Sequence, residues 1–230
     1  MSELNLAAID IDGAIQEMNA EVAGDSRADF FRKAAIGGAG LVGGGVMLGL
    51  PAMALGAPSK KQDVAILNYA LTLEYLETAF YEQARDSGVF TGATQGIATV
   101  IAQHEREHVN ALIATIKSLK GKPVKSPTFD FKGTNTDARS FLPTALVLEN
   151  TGTRAYHGQV TRLKSKALLS AAAKIATVEA RHAAAVAVLV GDNPFADKTS
   201  GSITPYGSFD KQSSMKKILE EVGATGFITG

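Results

Sequence analysis

The sequence of 230 residues contains no cysteine. Without thiols there is no disulfide framework, no thiolate-held zinc or iron–sulfur cluster, and no cysteine nucleophile. An excess of charge is missing as well: 23 Lys and Arg balance 23 Asp and Glu. A neutral chain lacks the basic footprint of a nucleic-acid binder, so no nucleic acid is expected as a partner. Histidine is scarce, with four residues, at 104, 108, 157 and 182. Any metal must therefore be held by His, Asp and Glu, and the placement of so few imidazoles is informative. What the chain does have is apolar residues, 45% of the total, enough to bury a core.

The first 25 residues carry six acids (Glu3, Asp10, Asp12, Glu17, Glu21, Asp25) and no Lys or Arg. The sign reverses in Ser26-Arg27-Ala28-Asp29-Phe30-Phe31-Arg32-Lys33, and an uncharged stretch rich in Gly and Ala follows from Ala34 to Ser59. A basic flank, an apolar segment and small residues (Ala52-Met53-Ala54), in that order, form a secretory signal layout. The run resembles a twin-arginine signal in Ser26, Arg27, Phe30, Phe31 and Arg32, but Ala28 stands where the second Arg belongs. The export route is therefore open. If uncleaved, residues 34–57 provide the roughly 20 apolar residues that span a bilayer, and the basic flank would leave the following domain outside. Residues 26–59 are thus expected to be a signal or membrane anchor, and the protein to be extracytoplasmic: periplasmic or in the cell envelope, secreted or anchored. A buried Gly-rich helix is the competing reading. Further upstream, Ile9-Asp10-Ile11-Asp12-Gly13 resembles the opening of haloacid-dehalogenase phosphatases, but Ala14 replaces the usual Thr and the Gly-rich run leaves no room for a sheet.

From residue 60 the periodicity is helical. Ala65, Ile66, Tyr69, Ala70, Leu73, Leu76, Ala79 and Phe80 recur with a 3.6 period and predict a helix over 63–85. Further helices are expected over about 95–120, 137–164 and 166–190, with Gly121-Lys122-Pro123 and Gly191-Asp192-Asn193-Pro194 as stops. Residues 121–136 read as a loop, and residues 192–230 as a tail with a short helix near 213–222. Two short connections around one long one suit an all-α, four-helix bundle with a single crossover over residues 60–191.

The chain repeats itself at an offset of about 75 residues. Ala70-Leu71-Thr72-Leu73-Glu74 matches Ala145-Leu146-Val147-Leu148-Glu149, and a tyrosine follows seven residues after each Glu, at Tyr81 and Tyr156. Glu105-Arg106-Glu107-His108 matches Glu179-Ala180-Arg181-His182, 31 and 30 residues after the respective single glutamates. On a helix, positions i and i+3 share a face. Each Glu-x-x-His therefore aims a carboxylate and an imidazole at one point. Two such pairs and two single glutamates, converging inside a bundle, make a dinuclear metal site.

These stretches, with Leu73-Glu74-Tyr75-Leu76-Glu77 and Leu148-Glu149-Asn150-Thr151-Gly152, resemble the exported bacterial ferritin-like domain proteins, which include the desiccation-related proteins. The resemblance covers residues 60–191. It implies a ferritin-like bundle with two Fe or Mn ions held by Glu74, Glu105, His108, Glu149, Glu179 and His182, Glu105 and Glu179 bridging. It also implies an oxidant-linked activity (ferroxidase, peroxide scavenging or a related oxidation), with dioxygen or peroxide as reactant. A structural or stress-protective envelope protein with a non-catalytic bundle is the alternative. No catalytic residue is assigned, and a homo-oligomer is left open.

Other residues have two readings at this stage. Glu77, three residues after Glu74, is an alternative ligand or an outer acid. Tyr81 and Tyr156 are outer hydrogen-bond partners, radical sites or core packing. His157, with Glu82 at its repeat position, reads as a surface residue. His104-Glu105-Arg106-Glu107-His108 also matches the zinc-protease pattern His-Glu-x-x-His, but the second half has Val178 where the first has His104.

Overall fold

The computed structural model describes residues 59–191 and 210–229. The acidic segment 1–25, all but the last residue of the expected signal or anchor segment 26–59, and residues 192–209 and 230 lie outside them. No helix among the described residues is long and apolar enough to cross a membrane.

Helix α1 spans Lys60–Asp86 and α2 spans Gly92–Ser118. Helix α3 spans Phe141–His157, a short 3-10 turn covers Val160–Arg162, and α4 spans Lys166–Val190. Helix α5, Met215–Thr225, follows near the C-terminus. Serines fix several starts. The Ser59 side chain accepts from the Gln62 amide of α1, Ser165 from Leu168 of α4, and Ser214 from Lys217 of α5. Such a cap contributes about 1 kcal/mol to a helix. Gly191 ends α4 in the left-handed conformation, with φ 81°, where a side chain would be strained.

Helix α1 lies along α2 and α3 along α4, while α1 also meets α3 and α2 meets α4. The result is two helical hairpins packed together. Two apolar clusters fill the ends of the bundle. One gathers Phe80, Phe90, Phe131, Phe141 and Val186; the other gathers Leu67, Leu71, Leu112, Ile116 and Leu168. On α2, Glu105 and His108 fall between Ala102 of the first cluster and Val109 of the second, and on α4, Glu179 and His182 fall between Ala176 and Ala183. The polar layer is thus sealed by hydrocarbon at both ends.

The crossover from α2 to α3 is extended but anchored. Asn68 of α1 holds it in both senses, donating to the Lys122 carbonyl at 3.1 Å and accepting from the Val124 amide at 2.8 Å. Further on, Phe129 forms an antiparallel bridge with Ile228. The C-terminal segment, expected as a tail with a short helix, in fact places Ile218, Val222 and Phe227 in the larger apolar cluster. Its Glu221 pairs with Arg154 of α3 at 2.8 Å.

Helix α3 is shorter than the 137–164 expected from the sequence. At its start Asp137 accepts from the amides of Arg139 and Ser140, holding a turn before Phe141. It stops at Gly158, where a methyl group would stand 1.8 Å from the Ser213 carbonyl oxygen. The Ser213 amide in turn donates to the Arg154 carbonyl at 3.1 Å. A strand of chain more than fifty residues away thus occupies the space that a longer helix with side chains would need.

Candidate metal centre

Each of the four bundle helices brings carboxylate to one layer. Glu74 and Glu77 come from α1, Glu105 from α2, Glu149 from α3 and Glu179 from α4. Glu77 is 3% exposed and the other four are 0% exposed. Five bare carboxylates in so small a volume repel one another and lose their hydration, a combination proteins resolve with protons or cations.

The ligand-capable atoms form two interlocking groups. Glu74, Glu105, His108 and Glu179 make one; Glu105, Glu149, Glu179 and His182 make the other, with all atoms of a group within 4.8 Å of each other. Glu105 and Glu179 belong to both. His108 Nδ1 lies 3.2 Å from Glu74 Oε2, 3.1 Å from Glu105 Oε2 and 3.2 Å from Glu179 Oε1. His182 Nδ1 lies 3.0 Å from Glu105 Oε1 and 3.3 Å from Glu149 Oε2. All six residues that the repeat singled out are thus brought together, and both imidazoles present the same nitrogen.

The residues fit a pair of divalent cations. Glu149 Oε1 and Glu179 Oε2 are buried with no polar partner, and Glu149 Oε2, Glu179 Oε1 and Glu105 Oε1 meet only the close imidazole approaches above. Left so, each polar group carries a penalty of about 1–3 kcal/mol. With the atoms of each group within 4.8 Å of one another, Glu74, Glu105, His108 and Glu179 would hold one cation and Glu105, Glu149, Glu179 and His182 another. Oxygen and imidazole donors suit iron and manganese alike.

The metal-free electrostatics lead to the same conclusion. Burial, followed by the neighbouring carboxylates, pushes Glu77 well above the usual carboxylate range. Glu105 and Glu179 rise well above it for the same two reasons. Burial alone would raise Glu74 too, but hydrogen bonds with His108 and its other neighbours bring it below its ordinary value. Burial would lower His108 and His182; the adjoining carboxylates overcome it and raise both. The shifts of Glu77, Glu105 and Glu179 all favour positive charge, as protons or as cations, at the cluster.

The two tyrosines serve opposite halves. The Tyr156 hydroxyl of α3 donates to Glu74 of α1, while Tyr81 of α1 stands beside Glu149 of α3, and burial and that carboxylate raise its hydroxyl well above its ordinary value. Tyr81 also packs edge-on against Phe80 and Phe141, so its ring belongs to the core as well. His157 is half-buried and belongs to neither ligand group.

His104 has a place that the sequence reading did not assign. It is in neither ligand group, so the zinc-protease arrangement of His104 with His108 is not formed. Instead its Nδ1 sits 2.9 Å from His182 Nε2, with the rings stacked 15° from parallel. Burial and the two nearby histidines lower its pKa, and a His182 tautomer carrying its proton on Nε2 would donate to it and leave Nδ1 turned to the carboxylates. An outer partner of this kind fixes the orientation of a metal-binding imidazole. The i,i+4 spacing of His104 and His108 was the available signal, since it puts His104 on the inward face.

The sequence matches the Ferritin-like domain family over residues 62–192. No curated protein matches the chain. Among solved structures, it is similar to a conserved hypothetical protein, rv2844, from Mycobacterium tuberculosis. The two share 17% identity with a TM-score of 0.53, over 60% of this chain and 97% of that one. At that identity the likeness speaks for the fold. With the family matched over more than half of its length, and its Glu and His residues gathered between four helices, the chain belongs to the ferritin-like domain family.

Proposed function

We propose that the protein is a dinuclear iron or manganese protein that reacts with dioxygen or peroxide. The observation that carries this reading is the pair of ligand groups sharing Glu105 and Glu179. Four carboxylates nearly balance two divalent ions, and Glu105 and Glu179 would serve both. When bound, the ions would supply the redox and Lewis-acid chemistry toward the oxidant.

The chain's own residues do the rest. His108 and His182 present Nδ1, and His104 holds the second of them in register. Tyr156 fixes one oxygen of Glu74. The apolar clusters on either side keep bulk water from the carboxylates. A small apolar cavity of about 50 Å³, lined by Leu67, Ala70, Leu73, Leu112, Tyr156 and Leu168 among others, abuts the tyrosine that covers Glu74. Its size and lining suit a small apolar reactant such as dioxygen better than a large organic substrate.

Residues 26–59 support a place in the cell envelope, and cell fractionation with an antibody to the chain tests it. Oxidant consumption tests the reaction. Protein loaded with Fe(II) or Mn(II) is expected to consume dioxygen or peroxide faster than the free ion does, and Glu105→Ala to lose that advantage. A loaded wild type no faster than the free ion would remove the oxidant from the proposal and leave the stress-protective bundle as the better reading.

A further inference from the structure

Glu77 is in neither ligand group, yet it is deeply buried and its Oε2 has no hydrogen-bond partner. Its repeat counterpart is Gly152, and the two positions meet in space. A methyl group at 152 would stand 3.0 Å from Glu179 Oε2 and 3.1 Å from Glu77 Oε1. Glycine is unfavourable in the interior of a helix, and Gly152 lies well inside α3. Its missing side chain leaves the space into which the carboxylates of Glu77 and Glu179 both reach.

The direction of that reach is defined. Gly152 follows Glu149 by three residues on α3 and shares its face, and Glu179 Oε2 approaches that same glycine. Glu179 and Glu149 belong to the group completed by His182. His182 is also the imidazole backed by His104, whose repeat counterpart is Val178. Both departures from the repeat therefore fall at one end of the site. At the other end the His108 side chain is 12% exposed, against 6% for His182.

We infer that Glu77 is an additional ligand of the ion held by Glu149, Glu179 and His182, and that the two metal positions are unequal as a result. The inference rests on the dinuclear reading above. The Glu77 position takes a hard divalent cation with five protein residues in reach and fills first. The Glu74–His108 position has four and keeps more of its coordination sphere for solvent or oxidant.

Anaerobic titration of the metal-free full chain with Co(II), followed by absorption and calorimetry, tests this without any turnover. Wild type is expected to take up two ions in two resolved steps. Glu77→Gln keeps the shape and removes the charge. It should still take up two ions, with the tighter step weakened about 10- to 100-fold and the two steps merged. Gly152→Ala leaves every ligand in place and crowds Glu77 and Glu179, so it should weaken the same step. Should Glu77→Gln fail to fold, Gly152→Ala carries the test. Two-step uptake by wild type, with unchanged affinities in Glu77→Gln and Gly152→Ala, would overturn the inference while leaving the dinuclear site intact. Wild type that binds no Co(II) would overturn both.

Discussion

The α1–α2 and α3–α4 hairpins present the same three metal-capable side chains on nearly the same spacing, but they are supported differently. Helix α1 has 27 residues and α3 has 17. Helix α1 ends in its own turn at Ser87, whereas α3 ends under the backbone of Ser213, far along the chain. Glu77 answers Gly152, and His104 answers Val178. The cluster is thus repeated in its Glu and His residues and asymmetric in everything that aims them. The two Glu and His sets face one shared layer, whereas each hairpin packs against a different remainder of the chain and is free to differ.

The largest effect should come from breaking what the hairpins share. Glu179→Ala removes a member of both ligand groups and should abolish retention of both ions. Glu149→Ala removes a member of one group only and should leave one ion per chain. Elemental analysis of the purified variants separates these outcomes. Equal loss in both would mean that the groups do not act as an interlocking pair.

A second test concerns what ends the helices. Gly158→Ala pushes a methyl into the Ser213 carbonyl, and such overpacking should lower stability by about 1–3 kcal/mol in urea denaturation. Gly88 has open space around it but a φ of 70°, so Gly88→Ala should be penalised only by its backbone conformation, about 1 kcal/mol. Equal penalties would mean that the C-terminal segment does not press on the end of α3.

This contact also explains what the sequence could reveal. The expected helix at 166–190 has the observed bounds of α4, and the first two helices were displaced by only a few residues, because their stops are local Gly, Ser and Pro signals. The end of α3 was not legible, because Ser213 sets it from outside. The six-residue cluster was legible because a repeated Glu-x-x-His is a statement about one helix face. The fit of Glu77 against Gly152 and of His104 against His182 was not, since each depends on how two helices pack together.

The acidity of the site gives a third prediction. Glu77, Glu105 and Glu179 hold their protons above the unfolded value of about 4.3. From there upward the unfolded chain ionises first, so their contribution to metal-free stability falls as pH rises. His108 and His182 are also raised; above about 6.5 the unfolded chain loses those protons first, which again lowers stability with rising pH. Metal binding displaces the same protons and therefore strengthens with pH. The difference in Tm between loaded and metal-free protein should widen from pH 5 to pH 8. A gap independent of pH would contradict the proton-filled cluster.

The smallest expected effect is confined to one hairpin. His104→Gln removes the partner of His182 and should weaken only the ion on that side, about tenfold, without changing the other. Val178→His introduces a histidine at the repeat position of His104 and should narrow the difference between the two steps. Calorimetric titration reads both. An equal weakening of both ions by His104→Gln would make its role merely structural.

The most direct measurement is the metal stoichiometry of the full chain, purified metal-free and titrated with Fe(II) and, separately, with Mn(II) in the absence of oxygen. The four-helix cluster predicts saturable uptake of two ions per chain, with release of protons and a rise in Tm. A folded, helical protein that takes up neither metal would contradict it, and the buried carboxylates would then have to be held by protons alone.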